Sequence, residues 1–448
     1  MKKVLLAVLL VFCAAVVIAA EYQLELKVNK PDGIFKVGEK AVFTCRVLKD
    51  GKPAEGVDVR YFISADNQRT KRGKFISNGT WKTETTLDYP GWVRLGFSIH
   101  DAKGKMMDIT TENWGRKSKV KIVGVGALFD PDKLVSVYPE PKDFDEFWAG
   151  VRKELDAVPV KELSKKEVKL ANNLAAKVIC YDVQVACAGK KPVSGYLSMP
   201  KNAKPKSCPA VLYYDGAGVR DSSKNLSFAQ KGAIYFGINA HGIENGKPKS
   251  FYANLQKTEL SRYSHSGKNN RDTFYFKGMY MRVMRSLDYI KTLPEWDGKH
   301  IIVCGASQGG GQVFAACALD KDVTYAVAGV PALSDHAGCL AKRDSGWPRL
   351  YTADKDGKPA EPAVAETAAY YDNVYFAKRV KCPININTGL FDRTCVPTGV
   401  LAAYNNIPET TQKWLVVVPD GSHGAHHKPG NARRDAYLEQ AIKTNSAK

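Results

Sequence analysis

Residues 301–311 read Ile301-Ile302-Val303-Cys304-Gly305-Ala306-Ser307-Gln308-Gly309-Gly310-Gly311, and helix-compatible residues Gln312 to Leu319 follow. Four apolar residues in a row predict a buried strand. The run then enters G-x-S-x-G, in which small residues on either side of a serine allow a strained strand-to-helix turn that pushes the hydroxyl out beyond the sheet. The amino end of the following helix favours negative charge developing nearby. A glycine-rich tight turn with an incidental serine is the plain alternative, and the strand before and helix after weigh against it.

Outward from this turn, strands and helices alternate. Lys177 to Ala186 and Pro192 to Met199 read as a hairpin, and Ala210 to Tyr214, Ala233 to Asn239, Tyr325 to Val330, Ile384 to Thr388 and Trp414 to Val418 as further core strands. Phe276, Tyr280, Val283, Leu287 and Ile290 recur at helical spacing before Pro294. An earlier helix starts at Asp143, with Glu146 three residues on as a capping box and Phe144, Phe147, Trp148, Val151 and Leu155 as its apolar stripe. Continuous apolar strands alternating with helices predict an α/β domain over 143–448, a mostly parallel sheet covered on both faces. Two long connections, His241 to about Arg271 and Ser334 to about Asn373, leave the carboxyl ends of strands and are expected to wall a site.

A serine alcohol needs a base, and the base needs an orienting acid. In this fold the chain order is Ser, then Asp or Glu, then His. Asp392 follows strand Ile384 to Thr388, and His423 follows strand Trp414 to Val418, both just past strand ends on the edge where Ser307 emerges. His426, His427 and His336 are rival bases, and Asp420 and Asp335 rival acids. The oxyanion donors map to the amides of Gln308, the residue after the serine, and Gly216 in the turn Tyr214-Asp215-Gly216-Ala217-Gly218.

The amino-terminal part follows a different rule. Residues 21–128 hold short alternating runs broken by turn signals such as Pro31-Asp32-Gly33 and Lys49-Asp50-Gly51, which predicts an antiparallel, immunoglobulin-like β-sandwich. Trp81 and Trp92 are read as core rings, with a carbohydrate-binding face as the alternative. Residues 129–142, rich in Pro and Asp, read as a linker. Lys2 and Lys3, the apolar run Val4 to Ile18, and Ala19 and Ala20 have the order of an export signal over 1–20, so a secreted or periplasmic protein without stable membrane insertion is expected. The apolar run is short for a spanning anchor. Of ten cysteines, nine lie beyond that segment, an odd number with no metal-ligand spacing. The 448 residues carry a net charge of +20, but it is dispersed; the densest cluster, Lys201, Lys204 and Lys206, contains Pro205 and no aromatics, which argues against a nucleic-acid partner.

From about 135 to 445 the chain resembles the acetyl xylan esterases and cephalosporin C deacetylases, the seventh carbohydrate esterase family. The resemblance rests on Asp143-Phe144-Asp145-Glu146-Phe147-Trp148, on Phe274-Tyr275-Phe276 before Arg285-Ser286-Leu287-Asp288-Tyr289, on Gly305 to Gly311, and on Gly389-Leu390-Phe391-Asp392 with Cys395-Val396-Pro397 and Ala403-Tyr404-Asn405. It implies an α/β-hydrolase fold, nucleophile Ser307, acid Asp392, base His423 and oxyanion amides at Gln308 and Gly216. It implies no metal or organic cofactor, an acetylated polysaccharide or oligosaccharide as substrate, and is compatible with a homo-oligomer. The family's D-x-R-G-Q after the fourth strand is replaced by Asn239-Ala240-His241-Gly242-Ile243, so its supporting arginine network is missing or rebuilt. A prolyl-oligopeptidase-like peptidase and a non-catalytic glycan-binding scaffold are the alternative readings.

Overall fold

The computed structural model describes residues 21–66, 70–113, 116–424 and 428–446. The expected export signal and the rival bases His426 and His427 lie outside the described residues.

The larger part of the chain is built on a nine-stranded mixed sheet. Its strands are β1 (Glu162–Glu167), β2 (Val178–Val185), β3 (Val193–Pro200), β4 (Cys208–Tyr214), β5 (Ile234–Ile238), β6 (Trp296–Ala306), β7 (Tyr325–Gly329), β8 (Ile384–Gly389) and β9 (Lys413–Val418). In space they run β1-β2-β3-β5-β4-β6-β7-β8-β9. The first three pair antiparallel, as does β3 with β5, and every pairing from β5 to β9 is parallel. Side chains of β6 point alternately to two cores, Ile301 and Val303 to one, Ile302 and Cys304 to the other. The first core is covered by α1 (Phe144–Asp156), α2 (Tyr275–Thr292) and α3 (Gln308–Leu319), the second by α4 (Lys428–Ser446), whose Leu438 is fully buried. Apolar residues on both faces of one strand are what a doubly covered sheet requires.

One local expectation is corrected, and one strand has no counterpart in the sequence reading. Asp143 precedes α1, but its carboxylate makes no capping bond; Oδ2 accepts from Arg271 Nη1 at 2.7 Å, and the pair ties the helix start to the long connection after β5. The polar stretch Glu162-Leu163-Ser164-Lys165-Lys166-Glu167 forms strand β1, held by its ladder to β2 at the sheet edge where little is buried. All nine cysteines are free thiols. Among the described residues no helix is long and apolar enough to cross a membrane.

Residues 22–129 form a four-stranded sheet and a five-stranded sheet around a separate core that includes Phe43, Val47, Val59 and Phe97, with a two-stranded ribbon at 109–120. Strand Ala41–Lys49 alternates buried with less buried positions up to Leu48, as its sequence predicts. Strand Gly91–His100 does not: all ten residues are buried. One face lines the core between the sheets; on the other, Trp92 packs with Leu390, Val396 and Leu401 of the larger domain, Gly96 lies under the Phe62 ring, and Ser98 and His100 hydrogen-bond each other. Trp92 Nε1 donates to Leu390 O at 2.8 Å, and Gly126 N to Pro419 O at 2.8 Å. Trp81 stacks on Phe75 with ring centroids 4.8 Å apart. Both tryptophans are therefore packing residues. The expected linker, 129–142, is pinned as well: Asn405 Nδ2 donates to Pro131 O and Leu134 O, and Tyr375 Oη to Tyr138 O.

Candidate active site

Ser307 is the residue between β6 and α3, with φ 60° and ψ −124°. A non-glycine residue there costs about 1–3 kcal/mol and persists only where its surroundings enforce it. Ser307 N donates to Gly329 O at 2.8 Å, and Ser307 O accepts from Gly311 N at 3.1 Å and Ala332 N at 2.9 Å. The glycine run is what lets α3 sit so close to the sheet. A Cβ on Gly309 would lie 2.0 Å from Tyr214 O, and one on Gly310 2.7 Å from Gly329 O.

Asp392 follows β8 and is completely buried. Its Oδ1 accepts from Thr394 N at 2.7 Å and Cys395 N at 3.0 Å, which leaves Oδ2 for His423 Nδ1 at 2.8 Å. His423, two residues beyond a tight turn after β9, places Nε2 3.0 Å from Ser307 Oγ. A carboxylate can only accept from Nδ1–H, so Nε2 is the ring's free acceptor and faces the serine hydroxyl. The three sequence-predicted side chains thus form one hydrogen-bonded run.

The rivals are engaged elsewhere. Asp335 pairs with Arg343 at 2.6 Å, and Asp420 lines a different cavity beside Phe391. His336 is enclosed, with neither ring nitrogen hydrogen-bonded, and burial pulls its pKa down to about 4. Asp392, Cys395 and His423 also bring three potential metal-ligand atoms together. Both ring nitrogens of His423 and Oδ2 of Asp392 are already engaged in the run to Ser307, and burial, with the Asp392 charge beside it, pushes the Cys395 thiol well up.

Gly216 lies against the serine: a Cβ there would be 3.2 Å from Ala306 O and 3.6 Å from Ser307 Cβ. Among the described residues the amides of Gly216 and Gln308 donate to no acceptor. Gly216 and Ser307 line a cavity of about 420 Å³, walled by Arg220, Val330, Trp347, Thr394 and His423.

The replaced motif is held by a buried arginine from α2, Arg282, whose Nε and Nη2 donate to Ala240 O at 2.9 and 2.6 Å, and by neutral groups around it. Asn239 donates to Ile243 O and Ser222 Oγ and accepts from His241 N and Ile243 N. His241 Nε2 lies 3.1 Å from Gly218 O, and Nδ1 2.6 Å from Tyr275 Oη. The carbonyl must accept, so Nε2 carries a proton. Tyr275 Oη also donates to Ala240 O at 3.2 Å, and burial pulls the ring's pKa down to about 4, which favours its neutral form. Tyr263 Oη donates to Gln308 Oε1 at 2.8 Å and accepts from Gly218 N at 3.4 Å, joining the two loops that carry the free amides. Tyr263 and Trp347 come from the two long connections, which do reach the site as their lengths suggest. Nothing in the spacing of either residue singles it out.

A hydroxyl, an imidazole and a buried carboxylate in sequence, at the carboxyl edge of a mixed sheet covered on both faces, are the arrangement of a hydrolase of the α/β-hydrolase type. The family model described as acetyl xylan esterase (AXE1) matches residues 132–440. The acetyl esterase Axe7A of Xylanibacter ruminicola is 31% identical over 403 residues, covering 88% of this chain and 85% of that protein. That match is longer than everything from residue 132 to the carboxyl terminus, so it extends into the amino-terminal part. Two solved acetyl xylan esterases, from a Paenibacillus and a Thermoanaerobacterium species, superpose with TM-scores of 0.57 and 0.54, each at 23% identity. Each covers 69% of this chain, and 98% and 97% of those chains, and shows the shared fold. This chain belongs to the acetyl xylan esterase family and is a serine carboxylic ester hydrolase.

Proposed function

We propose that the protein is a secreted serine esterase that removes acetyl or other small acyl groups from hydroxyls of a polysaccharide or its oligosaccharides. The observation that carries this reading is the run Ser307, His423, Asp392 seated on a strained turn in a member of this family. Ser307 Oγ attacks the ester carbonyl as His423 Nε2 takes its proton. Asp392 holds the ring by Nδ1 and offsets the charge of the imidazolium. The amides of Gln308 and Gly216 receive the oxyanion, with the amino end of α3 behind them. Collapse expels the sugar hydroxylate, which takes the proton from His423 and leaves acyl-Ser307. Water, deprotonated by His423, then attacks the acyl carbon, releasing the acid and restoring the serine.

The named activities of the relatives support an acetyl ester on xylan as substrate, and the apolar wall of Val330 and Trp347 suits a short acyl group. The order of charged, apolar and small residues over 1–20 supports export. The two amino-terminal sheets support an immunoglobulin-like sandwich. The test is acetate release from acetylated xylan by the full chain and by Ser307→Ala. We expect release by the parent and a ~10⁴-fold loss in the folded variant; no release by the parent, or an equal rate in the variant, refutes the reading.

A further inference from the structure

The chain carries a second cavity, of about 560 Å³, where the five-stranded sheet of the amino-terminal domain meets the loop after β8. Arg60, Arg72, Arg94 and Arg393 line it, together with Phe62 and His100, and no carboxylate does among the described residues. Arg94 is 6% exposed. Its guanidinium lies over the rings of Phe62 and Trp92, 5.5 Å and 5.4 Å from their centroids. None of its nitrogens has a hydrogen-bond acceptor among the described residues, and Nη1 is fully enclosed. Asp344 faces Arg94, Arg349 and Arg393 but forms no ion pair with any of them. Arg60 pairs with the Asp58 carboxylate at 3.3 Å, whereas Arg72 and Arg393 form no ion pair among the described residues.

A buried guanidinium without an acceptor is costly, and its planar fork matches a carboxylate in two-point geometry. Burial, with Arg393 beside it, pulls the Arg94 pKa down, which an incoming anion would reverse. The partly exposed Phe62 and Ile122 give the cavity an apolar side suited to the face of a sugar ring. Arg393 lines this cavity and Thr394 lines the cavity at Ser307. These are consecutive residues, so the loop after β8 borders both cavities.

We infer that this cavity binds the uronic acid of an acidic oligosaccharide, with Arg94 pairing with the carboxylate and Arg72 and Arg393 guiding it in. It rests on the proposed esterase reading for one point, that the same glycan carries the ester presented to Ser307. The test is titration calorimetry of the full chain with two xylo-oligosaccharides of equal backbone length, one neutral and one bearing a single glucuronic acid. We expect the acidic one to bind ~10-fold tighter or more, an advantage that shrinks as salt is added. The preference should disappear in Arg72→Ser/Arg393→Ser, which alters only exposed side chains, and in Arg94→Met where melting confirms a folded protein. Equal affinities, or a preference that survives in the double variant, overturn the inference. So does inorganic phosphate competing as effectively as the acidic oligosaccharide, which would mark a simple anion site. Acidic binding with no acetate release supports this site and refutes the esterase reading instead.

Discussion

Replacing Asp392 with Asn tests how the site sets the protonation of His423. Asp392 Oδ1 accepts two backbone amides, Thr394 N at 2.7 Å and Cys395 N at 3.0 Å, while Oδ2 faces His423 Nδ1 at 2.8 Å. An asparagine has one oxygen for these two jobs. With its NH₂ toward the two amides, four donor hydrogens would converge in a site with no exposure to water, at ~1–3 kcal/mol for each donor left unsatisfied. The side chain therefore keeps its oxygen on the amides and turns its NH₂ to His423. Nδ1 must then accept, which moves the ring proton to Nε2, the atom that should receive the proton of Ser307. We expect kcat on p-nitrophenyl acetate to fall ~10⁴-fold, about 5 kcal/mol of lost transition-state stabilisation, with the melting temperature little changed. A folded variant with kcat within tenfold of the parent near pH 7 would refute this account of the site.

Other perturbations follow from the same geometry. Tyr263→Phe removes the hydroxyl joining Gln308 Oε1 to Gly218 N, and should lower kcat ~10-fold with KM nearly unchanged in steady-state assays. Gly309→Ala places a Cβ 2.0 Å from Tyr214 O and should cost ~3 kcal/mol or more in chemical denaturation, since the neighbour is backbone and cannot move aside cheaply. His241 and His336 are both held near a pKa of about 4, below the value of about 6.5 for a free histidine, so the unfolded chain binds more protons in that window. Their contribution to stability is complete above pH ~6.5 and is lost as pH falls toward ~4; denaturant midpoints against pH should show a slope that His241→Gln reduces.

Much of this site was legible because its parts are local. A strand, G-x-S-x-G and a small-residue helix lie within twenty residues, and Asp392 and His423 each follow an apolar strand directly, so strand order alone places all three on one edge. What was not legible depends on contacts between distant parts. The alternation expected for Gly91–His100 fails because on its outer face Trp92 is buried by Leu390, Val396 and Leu401, roughly three hundred positions away, and Gly96 by the Phe62 ring. Asp143 looks like a helix cap, but Arg271, brought over by the long connection, takes its carboxylate. Strand β1 carries no hydrophobic signal because an edge strand needs only its backbone ladder. Tyr263 was missed for a similar reason: it acts through a hydroxyl on a long connection whose path no periodicity encodes.

The central claim is that Ser307 is the nucleophile. Incubating the folded parent with a fluorophosphonate and mapping the adduct by peptide mass spectrometry tests it directly, since only an activated serine reacts readily. The account predicts stoichiometric modification of the peptide bearing Ser307 together with complete loss of esterase activity. Inactivation with the label on another residue, or full activity after Ser307 is modified, would contradict it.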